Sequence, residues 1–286
     1  GYFLQLVQPT ELFGETDFTL GIRYDDNTLY GSSFTPRLGA VNKWNEDVTF
    51  KLLYGEAFRA PTPFELFGSS VVRIENPELE PETVKTFEFS ATYSEGDSQF
   101  IATLFANHLD NVIVEGVPVP NSTKFQIQNI GKADIKGVEL EAIYFASSQL
   151  KLFANLSYQD ASQDIGQGDV AIPNVASKKG NINLSYQVAQ DYNVNLTLNW
   201  VGERSVMPTN PLANVDSYTN VNVTVTNSRF FFDALSVQLK LNNLFDSQHV
   251  DPGIKAADGF ECIAPHKDRG AGENRQFTVL LGGAMG

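Results

Sequence analysis

The sequence predicts an all-β protein, an antiparallel transmembrane β-barrel segment of about 13 strands. Three observations lead there. Apolar residues recur at every second position along most of the 286 residues, and no segment of comparable length repeats with a helical period. Many of the alternating runs match the roughly 9–11 tilted residues that cross a bilayer, whereas strands of soluble domains have about 5–6. From the third onward, the connections between runs alternate short and long, as barrel turns and loops do on the two sides of a membrane.

The strands are expected at 2–8, 17–25, 34–44, 48–59, 82–94, 98–109, 124–145, 149–160, 176–188, 192–203, 217–228, 233–245 and 274–283. The second carries Phe18, Leu20, Ile22 and Tyr24 on one face, and the fourth Val48, Phe50, Leu52 and Tyr54. Phe87, Phe89, Ala91 and Tyr93 mark the fifth; Val138, Leu140, Ala142 and Tyr144 mark the seventh. In the eighth, Leu150, Leu152, Ala154, Leu156 and Tyr158 alternate with Lys151, Asn155, Ser157 and Gln159. The ninth shows Ile182, Leu184, Tyr186 and Val188. The tenth sets Tyr192, Val194, Leu196, Leu198 and Trp200 against Asn193, Asn195, Thr197 and Asn199. The twelfth sets Leu235, Val237, Leu239 and Leu241 against Ser236, Gln238, Lys240 and Asn242. Leu196, Leu198, Leu239 and Leu241 are therefore expected toward lipid, and Asn195, Asn199, Gln238 and Lys240 toward the lumen.

Tight connections fall at 45–47, 95–97, 146–148 and 189–191; extended ones fall at 60–81, 110–123, 161–175, 204–216 and 246–273. The extended set is expected to be extracellular and to build a ligand vestibule. Tyr24, Trp44, Tyr54, Tyr93, Tyr144, Tyr158, Trp200 and Tyr218 lie near strand ends, where interfacial aromatic girdles would place them.

Composition excludes other classes. Twenty Lys and Arg face 34 Asp and Glu, a formal net charge of −14, which argues against nucleic-acid binding. No run approaches the roughly 18 apolar residues of a spanning helix. One cysteine excludes an internal disulfide, and three histidines leave little for His-based metal binding or general-base work. No catalytic residue, metal site or cofactor is expected, and the chain reads as a non-enzyme.

Motifs narrow the class further. Between the fourth and fifth strands stands Tyr54-Gly55-Glu56-Ala57-Phe58-Arg59-Ala60-Pro61, followed by Asn76-Pro77-Glu78-Leu79-Glu80-Pro81-Glu82. Asn129-Ile130-Gly131-Lys132-Ala133 then leads into Gly137-Val138-Glu139-Leu140-Glu141. Asn242-Asn243-Leu244-Phe245-Asp246 and Arg275-Gln276-Phe277-Thr278-Val279 come near the end. In this order the motifs resemble those of TonB-dependent outer-membrane receptors, and the resemblance covers essentially the whole chain. It implies a 22-stranded barrel with a plug in its lumen. Residues 1–286 would then be the C-terminal portion of that barrel, with the plug and the first strands outside this chain.

The resemblance also implies a function: active import of a scarce ligand across the outer membrane of a Gram-negative bacterium. Energy would come from the TonB-ExbB-ExbD complex, engaged through the N-terminal region outside this chain. Outer-membrane lipid, lipopolysaccharide and an extracellular small ligand or metal chelate are the other expected partners. Ligand contact is expected from Arg59, Glu65, Arg73 and Asn76, where two cations in an acidic chain would suit a negatively charged chelate. Glu139 and Glu141 alternate against Val138, Leu140 and Ala142 and are expected to face the lumen and the plug. Heme receptors of this family carry a ligand histidine between the two boxes; Thr62 to Glu75 contains none, which favours a ferric siderophore. Two alternatives stay open, a passive porin-like or structural barrel and a soluble carbohydrate-binding β-domain. Cys262 and His266 stand in a C-x3-H spacing that lacks the further ligands of a metal site.

Overall fold

A computed structural model describes residues 1–11, 13–166, 168–206, 214–230, 235–249 and 276–283. Cys262, His266 and most of the last long connection lie outside the described residues. The long strands are β1 (Tyr2–Thr10), β2 (Glu15–Asn27), β3 (Gly31–Lys43), β4 (Val48–Arg59), β6 (Glu82–Glu95), β7 (Ser98–Pro118), β8 (Phe125–Phe145), β9 (Leu150–Asp164), β11 (Lys178–Ala189), β12 (Tyr192–Val201), β13 (Tyr218–Phe230), β14 (Leu235–Asn242) and β15 (Gln276–Gly283). They hydrogen-bond in chain order, and two short strands lie off this path: β5 (Arg73–Ile74) beside β8, and β10 (Asp169–Ala171) beside β9. A single short helix, α1 (Pro63–Phe67), interrupts the β structure among the described residues.

Turn chemistry explains the tight connections. The Asn45 carboxamide oxygen accepts from the backbone N–H groups of Asp47 and Val48, at 2.9 and 2.8 Å. Gly96 takes φ 57° between β6 and β7, a conformation that glycine adopts freely. Ser147 Oγ accepts from Gln149 N and Leu150 N between β8 and β9. One expectation is corrected at the far side. The connection expected at 110–123 is mostly strand, because β7 runs to Pro118 and β8 begins at Phe125. Asn111 sits at φ 57° inside β7 and interrupts the alternation there, so the sequence reads as a strand end.

The chain forms two compact units. Unit 1 comprises Gly1–Thr92, Thr103–Val138 and Asp160–Ala171; unit 2 comprises Tyr93–Ala102, Glu139–Gln159 and Ile172–Gly286. In unit 2 the register aligns Leu152, Leu184, Leu196, Val223, Leu241 and Phe277 in one row across six strands. The neighbouring row on the other face is polar. Asn183 donates to Thr197 at 2.8 Å, Asn193 to Ser185 at 3.1 Å and Asn195 to Asn193 at 2.6 Å. Both residue sets expected from the alternation thus fall on opposite faces.

In unit 1 the register aligns Leu6, Leu20, Leu38 and Tyr54. Exposure identifies what such a face is for. Leu20, Leu38 and Leu52 are 48%, 50% and 44% exposed, and Leu140, Leu156 and Ile182 of unit 2 are exposed too. A soluble two-layer core would bury these side chains, and an apolar face this wide is a membrane or partner surface. Aromatics gather at the tight-turn ends: Phe50 contacts Trp44 and Phe89 in unit 1, and Phe100 contacts Tyr93 and Tyr144 in unit 2. Tyr218 departs from the expected girdle. It pairs with Val201 on the polar-face register and stacks on His249, with 3.9 Å between ring centroids.

Candidate functional site

Among the described residues, the largest fully buried side chains are Leu66, Leu79, Ile127 and Asn243. Three of them form one small core in unit 1, with Ile113 packed against it. This core lies under the connection from β4 to β6, and the residues around it come from the sequence motifs.

Helix α1 starts on a capping box. Glu65 N donates to Thr62 Oγ1 at 3.2 Å, and Thr62 N donates back to the Glu65 carboxylate at 2.6 Å. Pro63 occupies the first turn, where its missing N–H costs nothing. This orients Leu66 inward at 1% exposure. The sequence Thr62-Pro63-Phe64-Glu65 carries that capping signal within a segment expected as a loop, and the structure forms a helix there.

Arg59, at the end of β4, joins three segments. Its Nε donates to Glu82 at the start of β6, and its Nη1 lies 3.2 Å from both Glu65 carboxylate oxygens. The other Glu82 oxygen accepts from Ile113 N at 2.7 Å. Arg73 closes the helix from its C-terminal side. Its guanidinium donates to the carbonyls of Gly68 and Phe64 and lies over the Phe64 ring, 4.0 Å from the centroid. A cation on carbonyls at a helix end is favourable charge placement.

The two asparagine boxes are stitched together. Asn76 Nδ2 donates to Ile127 O at 2.8 Å, and Asn76 N donates to Leu66 O at 3.0 Å. Asn129 Oδ1 accepts from Glu80 N at 2.9 Å, while its Nδ2 donates to Glu80 O at 2.9 Å and to Asn111 O at 2.8 Å. Asn129 therefore acts as a strand partner for a segment that leaves the ladder at Pro77 and Pro81. Gly131 allows the close approach: a Cβ there would stand 2.8 Å from Val112 Cβ. Strand β8 runs unbroken through Gly137.

The structure thus brings together Arg59, Glu65, Arg73 and Asn76, each holding the loop as well as bordering it. Arg59 remains about half exposed. Glu139 and Glu141 belong to unit 2 and lie on β8, alternating with Leu140. Among the described residues, no group of three or more His, Cys, Asp or Glu could hold a metal ion. The arrangement is a hydrogen-bonded brace in which Arg59 stays about half exposed and Arg73 is partly buried against the helix.

One consequence is pH-dependent. Burial pushes the Glu65 carboxyl up, but hydrogen bonds from Thr62 and Arg59 outweigh it and hold the group below the ordinary glutamate value. A depressed folded value contributes stability above the unfolded value, and that contribution is lost as pH falls through the folded one. Proteolytic cleavage within 60–81 should therefore rise as pH drops below the ordinary glutamate range. Glu65→Gln should raise cleavage at neutral pH and flatten the acid profile. An unchanged profile in the variant would show that Glu65 is not the titrating group.

The family model described as TonB dependent receptor-like, beta-barrel matches residues 2–244. A heme/hemopexin utilization protein C of Haemophilus influenzae strain 86-028NP is 29% identical over 269 residues, covering 83% of this chain and 36% of that protein. A vitamin B12 transporter BtuB of Photobacterium profundum is 27% identical, covering 82% of this chain and 37% of the other. Among solved structures, a mutant ferric enterobactin receptor of Pseudomonas aeruginosa in complex with enterobactin superposes with a TM-score of 0.78 at 22% identity. It covers 98% of this chain and 44% of that one. The chain spans less than half the length of each of these relatives.

Proposed function

The chain belongs to the TonB-dependent receptor-like β-barrel family, and on that premise we propose that it is part of an outer-membrane receptor that actively imports a scarce ligand, a ferric siderophore. The family match over residues 2–244 carries the importer reading. In this reading the apolar face of the strands meets lipid and the polar face, with Glu139 and Glu141, meets a plug in the lumen of a 22-stranded barrel. Coupling runs through TonB-ExbB-ExbD and the N-terminal part of the full receptor. The long connections are extracellular. Arg59, Glu65, Arg73 and Asn76 then border the ligand entrance on a braced loop, where the two guanidiniums meet an anionic chelate.

The absence of histidine from Thr62 to Glu75 supports a siderophore over heme. A heme reading is kept because a Haemophilus influenzae relative is by name a heme/hemopexin utilization protein. Growth of a deletion strain on ferric siderophores, heme, cobalamin and glycans as sole sources decides between them. Loss of growth on a ferric siderophore, restored by the intact gene, is the expected result. Loss on heme alone would replace the ligand and keep the importer, and growth unaffected on every source would remove the importer reading.

A further inference from the structure

The polar face of β3 and β4, in unit 1, is basic although the chain carries a net charge of −14. The odd-numbered residues of both strands lie on it, opposite Leu38, Leu52 and Tyr54. Lys43 and Arg37 of β3 and Lys51 and Arg59 of β4 share this face, and neither strand places a carboxylate there. Glu56, the one acidic residue of the two strands, lies on the other face, where the Tyr54 hydroxyl donates to it. The four cations are not equivalent. Arg59, at the long-loop end, is paired with Glu65 and Glu82, and Lys43, at the tight-turn end, lies 3.7 Å from Glu15. Arg37 and Lys51, between them, are exposed and make no hydrogen bond or ion pair among the described residues. The nearest carboxylate on the same face in the register, Asp17, stands across Val41 from Lys51, about 10 Å away at two strand spacings.

The wall around these two cations is bare. Gly21, Arg37 and Gly55 form one register row across three strands, so the guanidinium has no side chain beside it on either neighbour. Gly39 stands in the next row of the same face, between Thr19 and Leu53, and Ala57 separates Gly55 from Arg59. Packing does not demand these glycines. A Cβ at Gly55 would meet Arg37 Cγ at 3.8 Å and one at Gly21 would meet Arg37 Cβ at 3.6 Å, both ordinary contacts, and neither glycine has a positive φ. The missing side chains leave room against the Arg37 side chain for another molecule. At about 3.3 Å per residue, Arg59, Gly55 and Lys51 follow one another down β4 at intervals of roughly 13 Å, with Arg37 beside the middle position.

We propose that Arg37 and Lys51 are the stations of a track along this wall, which takes an anionic chelate from the mouth at Arg59 toward the tight-turn end. This rests on the importer reading above and adds to it the route of the ligand and the sign of its charge. A cation that only anchors a strand finds a carboxylate, as Arg59 and Lys43 do; these two keep their charge on an open wall. Uncompensated charge of one sign raises the local concentration of the opposite ion. The Arg37 fork can take two chelate oxygens at once, whereas the Lys51 ammonium is a mobile point charge on a flexible stem, suited to passing the anion on.

The test uses the full-length receptor in cells and has two arms. Gly55→Cys in a Cys262→Ser background sets a thiol beside Arg37, and its rates of modification by negatively and positively charged methanethiosulfonates read the potential at the wall. The anionic reagent should be favoured, and adding Arg37→Gln should lower the ratio about tenfold. If Gly55→Cys does not fold, Ala57→Cys takes its place. A ratio near one that Arg37→Gln leaves unchanged would mean that a carboxylate elsewhere in the receptor neutralises the guanidinium, and would overturn the proposal. The second arm follows radiolabelled iron presented as a ferric tris-catecholate, a strongly anionic chelate. The Arg37→Gln, Lys51→Gln double variant should bind it at the surface of de-energised cells as the wild type does, yet take it up about tenfold more slowly when energised. Arg37→Lys, which keeps the charge, should retain most of the rate, and Lys240→Gln, on the polar face of unit 2, should leave it unchanged. Uptake undiminished in the double variant overturns the track. A wild type that takes up no ferric catecholate, while the thiol ratio still favours the anion, overturns the siderophore reading and keeps the track.

Discussion

Replacing Leu66 with Ala should cost about 2–5 kcal/mol, and the loss should be confined to the loop brace. Leu66 is 1% exposed and packs with Leu79 and Ile127, at 2% and 1%. Removing its branched end leaves a cavity that cannot easily collapse, because the core around it is so small. The strands should not notice. Their ladders do not pass through Leu66, and their faces are solvated or lipid-facing. Each 1.4 kcal/mol lost from the brace raises its open fraction about tenfold. Limited proteolysis of the full-length receptor in membranes should therefore cut 60–81 in the variant, while the barrel keeps its heat-modifiable migration. Leu66→Met, which conserves volume, should cost less than about 1.5 kcal/mol and protect the loop. If the Ala variant loses the barrel as well, the brace is part of the global folding unit and not a separate one.

Much of this architecture is legible in the sequence, because a strand's signal is local. Residues 48–59 were expected as a strand and form β4, and the alternation in 192–203 already separates Leu196 and Leu198 from Asn195 and Asn199. The brace was legible only as motifs. Nothing local reveals that Asn76 reaches Ile127, 51 residues away, or that Asn129 reaches Glu80, 49 residues away. Such contacts depend on which strands become neighbours. They also explain why the two boxes are asparagines: each carboxamide supplies the hydrogen bonds that a proline-rich exit strand lacks. The capping box of α1 was readable but lay in a segment too short to show a helical period. Arg59 and Arg73 read in the sequence as cations suited either to a ligand or to tying the loop to the wall, and in the structure both are engaged in the loop. What each guanidinium does in the structure is hold the loop, and Arg59 keeps about half of its side chain exposed while doing so.

The second large effect belongs to the apolar face. Leu198 sits on β12 between Ile182 of β11 and Val221 of β13. An arginine there should destabilise the full-length receptor in lipid by about 2–4 kcal/mol if that level is the bilayer midplane, because the charge must reach water past hydrocarbon. Asn195, on the same strand, belongs to the other face and donates to Asn193 at 2.6 Å. Asn195→Arg should cost only about 1 kcal/mol, the net worth of one neutral hydrogen bond, since the new charge meets a wet lumen. Urea unfolding of the reconstituted receptor measures both. The comparison does not depend on the absolute stability, and the same residue is introduced on the same strand, so a difference of this size reports chiefly the medium on each side. Comparable costs would place water on both faces, a result that a lipid-facing leucine row cannot accommodate. A larger cost at Asn195 would place lipid on the amide face and invert every facing assignment drawn from the alternation.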